Sequence, residues 1–199
     1  MTSWQKLRDE AAQCTRCDLY RRATQTVFGE GRTGASITLV GEQPGDQEDK
    51  QGHPFVGPAG RILDRALDEA GIDRADVYVT NAVKHFKWTE RGKRRIHQRP
   101  NGTEIKACGF WLDAEIGLIR PRLLVLLGAV AGEAVFGSRF RVGDHKGNVE
   151  DAAFGAWRGL VVSTIHPSVV LREDDPEARE RSYAGLVADL VAARDAARR

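Results

Sequence analysis

The chain has 199 residues, of which 41% are hydrophobic and 29% are charged, and its formal net charge is +2. This length and composition favour one domain with a sizeable buried core, and the near-balanced charge excludes a protein that is basic throughout. No apolar run is long enough to span a membrane and the N-terminus has no signal-peptide core, so we expect a cytoplasmic protein that makes no membrane contact.

Apolar periodicity and helix-terminal residues predict helices that alternate with strands along the chain. In chain order these are a helix over 3–13, a strand over 36–40, a helix over 58–70, a strand over 77–83, helices over 103–119 and 129–136 on either side of a strand over 122–127, a strand over 160–165 and a helix over 176–198. Short, nearly continuous apolar strands that alternate with helices are typical of a parallel sheet covered on both faces. Ligands bind such sheets beyond the carboxyl ends of the strands.

The segment after the first predicted strand is rich in glycine and acidic residues. Glu42 would lie at the strand tip, where a carboxylate can stabilise positive charge or orient a nucleophile. Gly45 permits close approach of the backbone to a ligand, and Asp46 adds a second acid. Phe55 lies among prolines and glycines, so a rigid loop could present its ring as a stacking platform. A long acidic surface loop with Phe55 in the core is the open alternative.

Two further strand tips carry polar side chains. The amide of Asn81 offers donors and an acceptor and could read the Watson–Crick edge of a pyrimidine, although by itself the residue is better explained as a cap on the strand end. His166 opens the sequence "HPS", which Ser168 closes. An imidazole there could hydrogen-bond an oxygen that gains negative charge in a transition state, whereas the alternative is an exposed loop histidine.

The three cysteines are an odd number, which argues against a disulfide framework. Cys14 and Cys17 form a Cys-x2-Cys pair, a common chelate for zinc or an iron–sulfur cluster. Cys108 and His85 would complete a set of four ligands. Three buried free thiols are the alternative, and the identity of the fourth ligand is open at this point.

The basic segment from Lys84 to Arg99 carries seven cations and one acid, a net charge of +6 in a chain whose total is +2. Phosphate contacts by such cations provide affinity without reading sequence, and the interleaved Phe86 and Trp88 could stack on bases. A solvated surface is the ordinary explanation of such a run. The segment also contains "GKRRIH", in which a histidine, His97, follows three consecutive cations.

Taken together and in order, "CTRC", "GEQPG", "GHPFVGPAGRILD", "VYVTNAVK", "LLGAVA" and "HPS" resemble the iron–sulfur uracil-DNA glycosylases known as family 4, over nearly the whole chain. Gln43, where family 4 usually has alanine, and the inserted "KRRIH" loop are similar to one branch of that family, UdgX. The resemblance implies an α/β fold, a three-layer α/β/α sandwich with a central four-stranded parallel sheet. It would form a single domain over 1–199 with an inserted basic loop near 89–100.

The resemblance also implies a cofactor and a partner. A [4Fe–4S] cluster would be held by Cys14, Cys17, His85 and Cys108, with His85 departing from the four cysteines of family 4. The cluster is expected to brace the loops that grip DNA, because glycosidic cleavage needs no redox step. The implied partner is uracil-containing DNA, single-stranded by preference with double-stranded DNA left open, bound by a monomer.

For uracil excision, the resemblance implies that the base stacks on Phe55 and pairs with Asn81. His166 would donate a hydrogen bond to the uracil anion, and Glu42 would offset the positive charge on the sugar. The remaining substrate-binding residues would be Gln43, Gly45, Asp46, Arg95 and Ser168.

The inserted loop implies a covalent ending. A neutral His97 held near the sugar C1′ would outcompete water, since effective molarities can reach on the order of 10⁵ M or more. Gln43 would hold the other nitrogen of His97, and Arg95 would pin the loop on the protein or on phosphate. One rival is a turnover glycosylase in which water attacks. A remoter rival is a non-catalytic nucleic-acid-binding protein with a structural zinc.

Overall fold

The computed structural model describes residues 3–199 as a layered α/β protein. The strands are β1 Glu30–Gly31, β2 Ile37–Gly41, β3 Tyr78–Asn81, β4 Trp88–Arg91, β5 Arg94–His97, β6 Leu123–Leu127, β7 Val149–Phe154 and β8 Trp157–Thr164. The helices are α1 Ser3–Ala11, α2 Asp46–Gln51, α3 Pro58–Glu69, α4 Gly102–Ile119, α5 Ala129–Phe136, α6 Val142–His145, α7 Ser168–Arg172 and α8 Pro176–Arg198. None of these helices is both long and apolar enough to cross a bilayer.

The main sheet has the strand order β1-β3-β2-β6-β8-β7. Its four inner strands, β3, β2, β6 and β8, are mutually parallel, which confirms the predicted parallel sheet. The edge strands β1 and β7 pair antiparallel to it and were not predicted. Side chains of β7 alternate between exposed and half-buried, because this edge strand has only one covered face.

Each face of the sheet is covered by helices, which completes the three-layer sandwich. On β6, Leu123, Val125 and Leu127 pack in the core formed with α3 and α8. Leu124 and Leu126 point the other way and pack with α1, α4 and α5. Burial on both faces explains why β6 reads as a continuous apolar run rather than an alternating one.

The basic segment, predicted as a loop, is a β-hairpin formed by β4 and β5. Arg91 pairs with Arg94, so only Gly92 and Lys93 form the turn. Gly92 has a φ of 60°, a conformation that glycine adopts without the strain other residues would suffer. This segment was described from the sequence as a loop, and its two strands were not predicted, because charged side chains hid the strand pattern.

Candidate active site

A cleft of about 600 Å³ opens at the carboxyl ends of the parallel strands. Nine of the predicted substrate and catalytic residues line it, namely Glu42, Gln43, Gly45, Asp46, Phe55, Asn81, His97, His166 and Ser168. They come from the ends of β2, β3 and β8, the segment after β2 and the hairpin strand β5. Arg95, which was also predicted to bind substrate, is not among the residues that line the cleft.

Glu42 and His97 face each other across the cleft. The Nε2 atom of His97 lies 3.2 Å from Oε1 of Glu42, although the contact lacks hydrogen-bond geometry and leaves this buried oxygen without a partner among residues 3–199. Burial alone would raise the pKa of Glu42, but His97, His166 and Arg99 together hold it below the ordinary value. Glu42 therefore lines the cleft as a carboxylate that can stabilise positive charge there.

His166 is held as a neutral imidazole of defined tautomer. Burial lowers its pKa to about 4, despite the opposing effect of Glu42. The backbone N–H of Ser168 donates to Nδ1 at 3.2 Å, and the Ser168 hydroxyl lies 2.8 Å from the same nitrogen. Because Nδ1 acts as the acceptor, the ring proton lies on Nε2, which is then a hydrogen-bond donor to a group in the cleft.

The side chains of Phe55 and Asn81 both lie close to Gly41, at the end of β2. A Cβ atom at Gly41 would lie 2.4 Å from Asn81 Oδ1 and 2.5 Å from the Phe55 ring, so no side chain fits there. Phe55 itself has a φ of 58°, in the left-handed region that a bulky residue seldom occupies. Its loop is held by Glu48, whose Oε1 accepts a hydrogen bond of 2.8 Å from the Gly57 N–H. The strained, braced backbone fixes the aromatic ring beside the amide.

Gln43 fixes the base of the hairpin. Its Nε2 donates to the carbonyls of Lys87 at 3.2 Å and Gln98 at 3.0 Å, and its Oε1 accepts from the Lys87 N–H at 3.0 Å. Lys87 and Gln98 flank the two strands of the hairpin. Within the described residues Gln43 makes no hydrogen bond to His97, so that expectation was wrong: both ends of the amide are occupied by backbone groups.

Arg95 pins the hairpin to the protein body. Its Nε lies 2.6 Å from Asp46 Oδ1. Its Nη1 lies 2.6 Å from Asp49 Oδ2 and 3.2 Å from Thr24 Oγ1. Arg95 was predicted to bind either the protein body or phosphate, and in the structure it binds the protein body. Asp46, predicted to bind substrate, lines the cleft but directs its carboxylate to Arg95 and to Lys50.

Trp88 forms a second contact between the hairpin and the body. Its indole N–H donates to the Arg22 carbonyl at 3.0 Å, and the Arg22 guanidinium lies over the ring at 4.5 Å. Arg95 approaches the same ring at 5.4 Å. The hairpin is thus docked by a stacked aromatic as well as by the Gln43 and Arg95 contacts.

The charge of the basic segment is divided between two populations. Four of its cations are neutralised within the protein, namely Lys84 by Glu115, Lys87 by Glu104, Arg95 by Asp46 and Asp49, and Arg99 by Glu133. Arg91, Lys93 and Arg94, at the hairpin tip, are exposed and form no ion pair in the part of the chain that the structure describes. The tip is therefore the part of the segment that can contact phosphate.

The predicted metal ligands lie beside the hairpin, outside the cleft. Cys14 and Cys108 are buried and Cys17 packs against the same core. The Trp111 indole N–H donates to the sulfur of Cys14 at 3.0 Å. The backbone N–H of Lys84 donates to the sulfur of Cys108 at 3.3 Å. Burial raises the pKa of Cys108 to about 11, and it also raises the pKa of Cys17.

His85 is also buried, and it follows Lys84, whose N–H contacts the Cys108 sulfur. Its Nε2 lies 2.9 Å from Thr26 Oγ1, whereas its Nδ1 is buried without a hydrogen-bond partner among residues 3–199. Burial lowers its pKa, which favours the neutral imidazole that a metal requires. Across the described part of the chain, no three His, Cys, Asp or Glu side chains are arranged as a metal site, so the ligand set stays a prediction.

Several residues of the site escaped sequence analysis. Asp49 and Glu48 both lie on α2: Asp49 binds Arg95 of the hairpin, and Glu48 binds the backbone of the loop that carries Phe55. Leu171 and Arg172, on α7, line the rim of the cleft. The only sequence cue for the acids was their position after "GEQPG", and the rim residues gave none because their role depends on where α7 turns after "HPS".

Comparison with known proteins identifies relatives along most of the chain. The family described as the uracil DNA glycosylase superfamily matches residues 28–190. The type-4 uracil-DNA glycosylase of Thermotoga maritima is 40% identical over 174 residues, which are 86% of this chain and 84% of the relative. The corresponding enzyme of Pyrobaculum aerophilum is 35% identical over 173 residues, 85% of each chain. That of Archaeoglobus fulgidus is 34% identical over 175 residues, 86% of this chain and 83% of the relative.

Proposed function

Because this chain belongs to the uracil-DNA glycosylase superfamily, we propose that it excises uracil from DNA and then joins His97 covalently to the sugar. The observation that carries the proposal is the meeting of four groups in one cleft: the Phe55 ring, the Asn81 amide, the His166 donor and the Glu42 carboxylate. Each of these groups has a task in glycosidic cleavage.

Base recognition uses Phe55 and Asn81. An extruded uracil would stack on the Phe55 ring, while the Asn81 amide pairs with its polar edge. Gly41 leaves room for both the ring and the amide because it has no side chain. The Gly57 backbone, tied to Glu48, narrows the space beside the base and would disfavour the methyl group of thymine.

Bond cleavage uses His166 and Glu42. The C1′–N1 bond breaks with its electron pair going to uracil, which becomes an anion, and the sugar becomes electron-poor. The Nε2–H of His166 donates a hydrogen bond to the uracil oxygen that gains charge. Glu42, whose pKa is held low, stays ionised and stabilises the positive sugar.

Capture of the sugar uses His97. The step requires the ring proton of His97 on Nδ1, so that the lone pair of Nε2 forms a bond to C1′ as the uracil anion leaves. The ring becomes an imidazolium, and the uracil anion takes a proton from solvent. Glu42 Oε1, 3.2 Å from Nε2, stabilises the sugar cation and then the imidazolium.

The hairpin supports the assignment to the UdgX branch. Gln43 and Arg95 hold His97 over the cleft before any DNA is bound, so the imidazole is positioned in advance of the reaction. A conventional glycosylase needs no such docked side chain at this place, because water is its nucleophile.

A denaturing gel tests the proposal. Incubation with single-stranded DNA that contains one uracil should release free uracil and shift the protein band, whereas DNA with thymine at that position should do neither. His97→Ser should lose the shifted band and still release uracil, because water reaches the space left by the ring. Persistence of the shifted band in that variant would exclude His97 as the nucleophile, and absence of uracil release by the unaltered protein would exclude the function.

We also propose that Cys14, Cys17, His85 and Cys108 hold a [4Fe–4S] cluster. The support is the buried Nδ1 of His85, which has no hydrogen-bond partner within residues 3–199, and the two buried sulfurs that already accept hydrogen bonds. When bound, the cluster would tie the segment after α1 to α4 and to the chain that enters the hairpin. Binding of uracil-containing DNA by a cytoplasmic monomer completes the proposal.

A further inference from the structure

A buried ion pair between Lys84 and Glu115 lies directly behind the recognition side of the cleft. Both side chains are fully shielded from solvent. The Nζ of Lys84 donates to Thr80 Oγ1 at 2.6 Å, to the Asn81 carbonyl at 2.7 Å and to Glu115 Oε2, so all three ammonium hydrogens have acceptors. Such a pair is often no more stabilising than apolar residues of similar volume. The pair nevertheless makes two contacts with the end of β3, at Thr80 and Asn81, and these give it a second role.

Glu115 is itself held in one orientation. Its carboxylate accepts hydrogen bonds from the Gly29 N–H at 2.8 Å and from the Tyr78 hydroxyl at 2.8 Å. The Thr80 hydroxyl donates to it as well, at 3.0 Å. A Cβ atom at Gly29 would lie 2.4 Å from Glu115 Oε1, so the backbone closes around the carboxylate. The ammonium of Lys84 therefore binds a carboxylate whose position is fixed.

Lys84 acts on the segment that presents Asn81. β3 ends at Asn81, and the next two backbone N–H groups donate to the carbonyls of Gly41 at 2.9 Å and Glu42 at 3.0 Å. The Asn81 carbonyl is taken by the Lys84 ammonium. The segment is thus closed on one side by β2 and on the other by a charge-assisted hydrogen bond, and both contacts hold the backbone from which the Asn81 side chain extends.

We infer that Lys84 is a positioning residue for base recognition, with Glu115 as its anchor. The ammonium holds the end of β3 so that the Asn81 amide faces the base in one orientation. Lys84 has no exposed surface and never touches the substrate. The inference rests on the proposed function, because it assumes that Asn81 binds uracil.

The double variant Lys84→Met with Glu115→Gln tests the inference. It removes the ammonium without leaving a buried charge, and glutamine still accepts from Gly29 and Tyr78. We expect weaker binding of free uracil, a reduced preference for uracil over cytosine, and single-turnover uracil release slower by up to about 10²-fold, the typical effect of a 1 Å misplacement. The fraction of excised sites that end as crosslinks should not change, since the hairpin docks through other groups.

A core variant on the opposite face of the sheet separates positioning from general destabilisation. Leu186→Ala, in the core on the opposite face of the sheet, should lower the midpoint of thermal unfolding and leave uracil affinity unchanged below it. Wild-type uracil affinity in the double variant, or an equal loss in Leu186→Ala, would overturn the inference alone. An unaltered protein that neither binds nor releases uracil would overturn the proposed function and the inference with it.

Discussion

Arg95→Met should separate the release of uracil from the capture of the sugar. Arg95 joins the hairpin to α2 through Asp46 and Asp49, and its side chain is only 18% exposed. Phe55, Asn81 and the other recognition groups lie on the body of the protein. Loss of the guanidinium therefore weakens the docking of the hairpin and leaves the recognition groups in place.

The expected magnitude follows from the two short charge-assisted hydrogen bonds, both 2.6 Å long. Hydrogen bonds to charged groups contribute about 1.5–3 kcal/mol each. Asp49 is fully buried, whereas the Asp46 carboxylate is 32% exposed and its share is reduced by solvent. A total of about 3 kcal/mol corresponds to a factor of ~10² in the ratio of docked to undocked hairpin. The Gln43 contacts remain, so crosslinking should fall by between about 10-fold and that limit.

The assay is a single-turnover reaction in which crosslinked DNA and alkali-cleaved abasic DNA are quantified on one denaturing gel. Arg94→Met is the matched control, because it removes the same charge from the adjacent, exposed position. Arg95→Met should convert crosslinks into abasic product, and Arg94→Met should not. If both variants crosslink equally, or if Arg95→Met loses uracil release in proportion to crosslinking, the docking argument is refuted.

Three further predictions concern the recognition groups and the thiols. Gly41→Ala should abolish uracil release in a folded protein, measured as free base, because its Cβ would lie 2.4 Å from Asn81 Oδ1. In a variant that lacks the hairpin histidine, the rate of uracil release should stay level from pH 8 to about 5, because the His166 pKa is about 4; a break near 6.5 would contradict the neutral tautomer. Because the pKa of His166 is lower in the folded protein than in the unfolded chain, the unfolded state binds more protons between about pH 4 and about pH 6.5. The free energy of unfolding should therefore fall as the pH drops from about 6.5 to about 4. His85→Ala should reduce visible absorbance and iron content, and the exposed His53→Ala should change neither.

The parallel sheet was predictable because burial on both faces leaves a direct mark on composition. Strand β6 is apolar at every position, and the same holds for most of β2. The edge strand β7 contains Glu150 and Asp151 and carries no such mark, since its side chains are at most half-buried. Strand tips then located the cleft, because parallel strands all end on one side.

Contacts between side chains distant in sequence were not predictable. Gln43 was expected to bind His97, and it binds backbone groups of residues 87 and 98 instead. That choice depends on how the hairpin lies on α2, which neither segment encodes alone. Lys84 likewise appeared as one more surface cation of the basic segment, and only the position of Glu115 on α4 makes it a buried residue.

The two-stranded hairpin is not a self-contained insertion. Its receiving surface is spread over earlier parts of the chain: Thr24, Gln43 and the two aspartates of α2. A protein with the hairpin but without these residues would have a weakly docked hairpin, and its histidine would seldom lie in the cleft. For the proposed covalent capture, the hairpin and the residues that receive it therefore act as one unit, and transplanting residues 88–98 into a relative should position the histidine only if the receiving residues are moved as well.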